Sequence, residues 1–377
     1  SYLDQYALIV NGVNAVFGRS EGLVAGASFG KNGNPDIRWE TTTQSDAGLE
    51  LGLWDDKITA ELDYYHRLTD DILVELSTPG YTGNGQGVKV RYNAASVVNQ
   101  GIEFNTAYNG RAGAVKYRIS ALGSTVSNRV RNVGGSSGVD STLVGGFLGN
   151  GQTVTLSKEG QPIGAFFGYE TNGIFQNQAQ LDNTPHLSTA GVGDLIYADR
   201  NGDGQITTAD RVFLGSGIPR FIYGFAGEVF WKKFDFAIDF QGQTGNKIYN
   251  GKNAVRPDLY NFEATVLDRW TADGSSNKEP RATTGGYNWI PSDRFIQNGS
   301  FLRLRSLTLG YTFAGNWLRR AHLREGRVYL RGTNLWTLTR YTGYSPEIGS
   351  GDVLSAGIDY GVYPITAVYS AGFHFTF

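Results

Sequence analysis

The chain has 377 residues, among them 52 Gly, 21 Phe, 21 Tyr and 7 Trp, with no Cys and no Met. Basic and acidic side chains nearly balance at 33 against 35, which excludes the polybasic surface that non-specific nucleic-acid binding needs, so no nucleic-acid partner is expected. Without Cys there is no disulfide framework, thiolate metal site or thiol nucleophile. No apolar run approaches the roughly 18 to 20 residues of a membrane-spanning helix, but a membrane β-barrel stays open, because its strands alternate apolar and polar side chains. A start at Ser1 with no Met and no apolar leader reads as a processed chain or a fragment.

Period-2 alternation runs along most of the chain. Ala47, Leu49, Leu51 and Leu53 alternate with Asp46, Gly48, Glu50 and Gly52. After the turn 54–57, Ile58, Ala60, Leu62 and Tyr64 alternate with Thr59, Glu61, Asp63 and Tyr65, which is a hairpin. Ile102, Phe104 and Tyr108 lead through a turn near Asn109 to Val115, Tyr117, Ile119 and Ala121. Phe221, Tyr223, Phe225, Val229 and Trp231 turn at Lys232-Lys233 into Phe234, Phe236, Ile238 and Phe240. Leu307, Leu309, Tyr311 and Phe313 pair across 314–326, the one connection expected to hold a helical turn, with Val328, Leu330, Trp336 and Leu338. Leu302 and Leu304 fall out of phase with Leu307 and Leu309, which predicts a bulge near Arg305–Ser306. The last segment ends with Ala367, Tyr369, Ala371, Phe373, Phe375 and Phe377 on one face.

The spacing predicts about nine antiparallel strands, near 38–53, 57–75, 98–108, 114–130, 219–231, 234–244, 298–313, 327–342 and 363–377. Turns at 54–56, 109–113 and 232–233 are short. The connections 76–97, 131–218, 245–297 and 343–362 are long and rich in Gly, Asn and Ser. That asymmetry is the layout of an outer-membrane barrel with short periplasmic turns and long extracellular loops. Aromatics near strand ends, as in Phe221, Tyr223, Trp231, Tyr311 and Phe313, fit an interfacial girdle. A soluble β-sandwich also alternates and stays open as an alternative. In a barrel with both termini on the periplasmic side, counting back makes 38–53 a descending strand. Residues 1–37 then read as the remnant of an extracellular loop, with 38–377 the C-terminal strands and the rest of the barrel upstream.

One local motif points to a cation. Asp199, Asn201 and Asp203 occupy positions 1, 3 and 5 of a calcium-loop pattern, Gly204 allows the bend, Gln205 offers its backbone carbonyl and Asp210 holds position twelve. Oxygen donors at that spacing can converge on Ca2+. The expectation is a structural Ca2+ pinning the 131–218 loop; a solvated Asp/Asn/Gly turn is the alternative. Nothing points to catalysis. His66, His186, His322 and His374 lie apart in unlike contexts, and neither HExxH nor G-x-S-x-G occurs, so no enzyme is expected.

Several segments, in order, resemble one family. Asn34-Pro35-Asp36-Ile37-Arg38-Trp39-Glu40, Asn99-Gln100-Gly101-Ile102-Glu103, Gly160-Gln161-Pro162-Ile163-Gly164, the calcium-like loop followed by Gly217-Ile218-Pro219-Arg220-Phe221, Ser292-Asp293-Arg294-Phe295-Ile296, and Asn334-Leu335-Trp336-Thr337-Leu338 are similar to the C-terminal half of SusC/RagA-type TonB-dependent outer-membrane transporters of Bacteroidota. Ser345 stands where that family usually has Asp before Pro346-Glu347. The resemblance implies the last nine strands of a 22-stranded barrel, with its plug domain absent from this chain. It implies energised import of an oligosaccharide or oligopeptide through TonB, ExbB and ExbD, and a SusD-like surface lipoprotein over the mouth. A passive porin-like or adhesive barrel and a soluble calcium-binding glycan module are the alternatives. Tyr81, Tyr287, Trp289 and Tyr344, expected as exposed aromatics in the long loops, are the candidates for substrate or lid contact; loop aromatics also serve as packing.

Overall fold

The computed structural model describes residues 5–17, 22–77, 89–134, 142–259, 261–320, 322–349 and 352–377. Nine strands make one antiparallel wall: β1 Thr41–Leu53, β2 Ile58–Ser77, β3 Lys89–Ala112, β4 Val115–Thr125, β5 Phe221–Trp231, β6 Phe234–Thr244, β7 Phe301–Phe313, β8 Glu325–Thr339 and β9 Val368–Thr376. Each pairs with its neighbours in chain order, so the wall is an up-and-down meander, and its outermost strands β1 and β9 each have a wall strand on one side only. The strand count matches the alternation in the sequence. Some boundaries do not. β3 begins at Lys89 rather than near 98, β9 shortens to Val368–Thr376, and the segment expected at 114–130 breaks at Val126 before resuming as Ser127–Val133 against β3. Residues 1–37, expected as loop, carry an antiparallel hairpin, Leu8–Phe17 with Gly22–Lys31. Helical turns occur at Asn316–Arg320, in the expected connection, and also at Gln178–Asp182 and Gly251–Leu259, because loops that pack on each other can bury a short helix.

Register sorts the wall into two faces, since directly paired residues point the same way. Trp231, Phe234, Tyr311, Val328 and Phe373 are successive partners across five strands. The next apolar row runs Val229, Phe236, Leu309, Leu330 and Ala371. Opposite them lies Glu228, Ala237, Thr308, Arg331 and Ser370. Leu330 is 62% exposed and Phe373 74%, so among the described residues the greasy face has no protein cover, and it suits lipid. A sandwich would bury one face of each sheet, whereas β1 is exposed at all thirteen positions; the soluble-sandwich alternative is overturned. The predicted bulge falls where Leu304 and Ser306 shift register against β8, opposite a shift at Asp239/Phe240.

Aromatics mark both ends of the apolar band. Trp231, Phe234, Tyr311 and Phe313 form a chain of rings 4.9 to 6.4 Å apart near the short turns. Phe104, Phe221, Tyr223 and Phe225 do the same at the other end, 5.6 to 6.4 Å apart. Phe221 and Trp231 are ten residues apart on β5, about 33 Å of strand, or roughly 25 Å along the normal at a barrel strand's tilt. That matches the apolar height of outer-membrane barrels. β2 and β3, 20 and 24 residues long, reach roughly 65 to 80 Å and must rise well clear of the bilayer. Among the described residues no helix is long and apolar enough to cross a membrane.

The buried core sits above this wall. Val74, Ala94, Ala95, Val97, Val130, Val133, Leu143 and Ile163 cluster where β2 and β3 project past the band. Further clusters form around Phe166, Tyr249 and Phe295, around Tyr169, Tyr197 and Tyr287, and around Phe175 and Leu181.

Candidate functional site: the loop-covered mouth

Three of the four long connections, 131–218, 245–297 and 343–362, fold as one cover among the described residues. Strands Thr142–Phe147, Thr153–Lys158, Ala165–Gly168 and Val212–Gly215 form a small sheet. Lys247–Tyr249 pairs with Ile296–Asn298. Buried polar contacts then lock the connections to one another. Asp194, fully buried, accepts Arg281 Nε at 2.7 Å and Nη2 at 2.9 Å, Asn288 Nδ2 at 2.7 Å and the Gly191 amide at 2.8 Å. A buried carboxylate is tolerated only with such full pairing. Thr171 donates to Asp293 at 2.7 Å, and Thr155 donates to the Leu354 carbonyl at 2.7 Å across 199 residues. Tyr341 donates to the Asp359 carboxylate, and burial pushes the Tyr341 hydroxyl up.

The cover is also tied to the polar face of the wall. Arg303 on β7, 3% exposed, pairs with Glu347 of the last connection, and Gln241 on β6 donates to the same carboxylate at 2.9 Å. Arg303 and Gln241 are directly paired on the polar face, so this loop folds in over that face. Lower down, Arg327 on β8 reaches across β7 to Asp235 on β6, with Nε at 2.9 Å. The strand it crosses has Gly310 at that point; a Cβ there would lie 2.3 Å from Asp235 Oδ1 and 2.6 Å from Arg327 Nη2.

Within the cover a groove of about 500 Å3 is lined by Asn172, Asn253, Glu263, Asn277, Lys278, Glu279, Arg294, Gln297 and Thr342, among others. Glu279 and Arg294 pair at 2.5 Å, yet burial pushes the glutamate up and the guanidinium down, so desolvation outweighs their attraction. Lys252 bonds Glu263 at 3.4 Å and stands 5.4 Å from the Tyr344 ring centroid. Amide and hydroxyl groups with pre-paired charges offer many hydrogen bonds and little net charge, which suits a polar polymer.

Of the predicted contact aromatics, Tyr344 is 71% exposed beside this groove. Tyr287 and Trp289 are each only 7% exposed, which corrects the expectation of exposed rings. Tyr287 packs 5.0 Å from Tyr197 and Trp289 stacks 6.0 Å from Phe295, beneath the Arg294 guanidinium. Both supply the cover's core. Tyr81 lies outside the described residues. The groove's amide residues carried no periodic signal, though Arg294 falls in one of the segments that carried the resemblance.

The loop 199–210 is held by its own hydrogen bonds. Asp199 accepts the Gly202 and Gly204 amides at 2.7 and 2.8 Å, Asn201 accepts the Asp203 amide at 3.0 Å, and Asp203 accepts the Gln205 amide at 2.8 Å. Asp210, fully buried, closes a capping box with Thr207. The Thr207 amide, with those of Arg200 and Asn201, holds its carboxyl below the usual carboxylate range. Among the described residues no group of three or more His, Cys, Asp or Glu is set to hold a metal ion. The donor types are those of a hard-cation loop, and their oxygens accept hydrogen bonds from N–H groups of the loop itself.

A single antiparallel wall, greasy outside and polar inside, under a folded loop cover, defines an outer-membrane β-barrel. Residues 5–335 match the family of TonB dependent receptor-like β-barrels, and the chain belongs to that family; it is an outer-membrane protein and not an enzyme. It is 31% identical over 365 residues to TonB-dependent receptor P26 of Formosa agariphila, covering 93% of this chain and 36% of that protein. It is 27% identical to TonB-dependent receptor SusC of Bacteroides thetaiotaomicron, over 91% of this chain and 32% of the relative. The chain thus spans about a third of these relatives' length. Its fold is that of part of the RagAB peptide transporter, at TM-score 0.75 and 22% identity over 98% of this chain and 38% of that one.

Proposed function

We propose that this chain forms wall and extracellular cover of a TonB-energised importer of bulky polar nutrients, an oligosaccharide or oligopeptide, working with a SusD-like lipoprotein over the mouth and drawing energy through TonB, ExbB and ExbD. The observation that carries the reading is the tie of a folded loop cover, which holds the polar groove, to the polar wall through Glu347, Arg303 and Gln241. The kinship to SusC and the fold shared with a peptide transporter support the same class. In the native organism, uptake through the full-length protein should stop when tonB is deleted. Uptake that continues would make this a passive pore.

Ca2+ is proposed as a structural cofactor of the 199–210 loop, held by Asp199, Asn201, Asp203, the Gln205 carbonyl and Asp210. The order of donors supports it, and Asp210 is kept charged by three amides. Asp203→Ala in the full-length protein should increase proteolysis within 131–218 and abolish the effect of chelator. Equal cleavage of both proteins with and without chelator would remove Ca2+ from the account.

A further inference from the structure

β4 and β5 pair as far as Thr125 and Phe221, add one hydrogen bond from the Val126 amide to the Arg220 carbonyl at 2.9 Å, and then part. β4 continues as Ser127–Val133 against β3, while the chain leading into β5 comes from the small sheet of the cover. The gap between them is a cleft of about 580 Å3 whose lining includes Arg129, Arg220 and Lys247 and no acidic residue. Among the described residues none of the three cations has an ion pair or a side-chain hydrogen bond, whereas other arginines of the wall and of the cover pair with Asp194, Asp235, Asp239, Glu279 and Glu347.

The cleft is shaped to bring two of these cations in. The Arg220 stem runs against Gly245, where a Cβ would meet Arg220 Cβ at 2.7 Å, Cγ at 2.9 Å and Cδ at 3.2 Å. The Lys247 stem runs against Gly215, at φ +127°, where a Cβ would meet Lys247 Cγ at 2.8 Å. Both glycines line the same cleft. Any side chain at either would push a cation out.

We propose that this cleft binds a phosphate-bearing group. Two guanidinium groups and an ammonium around one cleft without an acidic residue favour an anion that accepts bidentate hydrogen bonds, as phosphate does. The space exceeds a bare ion and fits a phosphorylated headgroup or a phosphorylated sugar. Its position supplies the two possible sources. The cleft opens one residue beyond the Phe104, Phe221 and Tyr223 rings that mark the lipid boundary, at headgroup height, and it also borders the mouth through which cargo passes. This site does not depend on what the barrel imports or on how import is energised.

The test uses the full-length protein in detergent, with two probes: inorganic pyrophosphate, and lipid A compared with its dephosphorylated form. The double variant Arg220→Gln/Lys247→Gln should bind the phosphorylated probe at least about tenfold more weakly, since each charge-assisted hydrogen bond is worth about a factor of ten or more. Arg220→Lys/Lys247→Arg, which keeps both charges, should lose far less and shows that the Gln variant's defect is not misfolding. Binding of pyrophosphate assigns the site to a soluble ligand. Binding of lipid A alone, lost on dephosphorylation, assigns it to the membrane. Equal affinity of wild type and the Gln variant for both probes, or no discrimination between phosphorylated and dephosphorylated lipid together with no pyrophosphate binding, overturns the proposal.

Discussion

The wall and the cover solve the same problem, satisfying backbone groups and hiding apolar side chains, by different means. In the wall every strand feeds a hydrogen-bond ladder and the apolar face is left for lipid, so Leu330 and Phe373 stay bare of protein. In the cover the apolar side chains hide from water among themselves, and Phe166, Phe175 and Val154 are completely buried. The wall's stability comes from its solvent and its closure, the cover's from packing. Damage to one should therefore leave the other standing.

The largest separation is expected from Phe166→Ala. Removing a fully buried ring costs about 3–5 kcal/mol in a packed core. Proteolysis within 131–218 should rise steeply while the barrel keeps its heat-modifiable migration on gels. Loss of both together would mean that wall and cover fold as one unit. The converse is Leu330→Arg on the greasy face, one row inside the aromatic girdle, which costs about 1–3 kcal/mol, between the values for the interface and for the bilayer midplane. It should lower membrane insertion and barrel stability while protease protection of the cover in the inserted fraction stays as in wild type.

A smaller effect lies in pH. Asp210 has a folded pKa held below its ordinary value by the amides of Thr207, Arg200 and Asn201. Such a group contributes stability that is present above the unfolded carboxylate value, about 3.9, and is lost as pH falls through the lower folded value. Protection of the 199–210 amides, taken relative to their intrinsic exchange rates, should fall below about pH 4 in wild type. Asp210→Asn should show fast exchange already at neutral pH and no further acid step from this group.

The same contrast decides what the sequence could tell. In the wall, position on a strand fixes environment, so alternation alone located nine strands, and a single phase slip between Leu304 and Leu307 located the bulge at Arg305. Residues 89–97 escaped because the upper part of β3 packs Ala94, Ala95 and Val97 against loops rather than lipid, and small residues against a folded cover make no greasy stripe. In the cover, environment depends on partners remote in the chain. Tyr287 and Trp289 lie in a Gly- and Ser-rich stretch that looks exposed, and what buries them includes Tyr197, ninety residues away. Asp194 shows nothing in its own neighbourhood of the Arg281 and Asn288 that pair with it. The groove's amides are ordinary loop residues until the fold brings 171–173, 277–279 and 342 together.

Successive residues of the wall face lipid and lumen in turn. This chain has no Cys, so single cysteines can be placed at Phe236, Ala237, Thr308 and Leu309 of the full-length protein, freed of any cysteine elsewhere, and treated in outer membranes with a water-soluble maleimide. Labelling is expected at Ala237 and Thr308, on the polar face, and protection at Phe236 and Leu309, which pair on the apolar face. Equal labelling at all four, or the reverse pattern, would contradict this alternation.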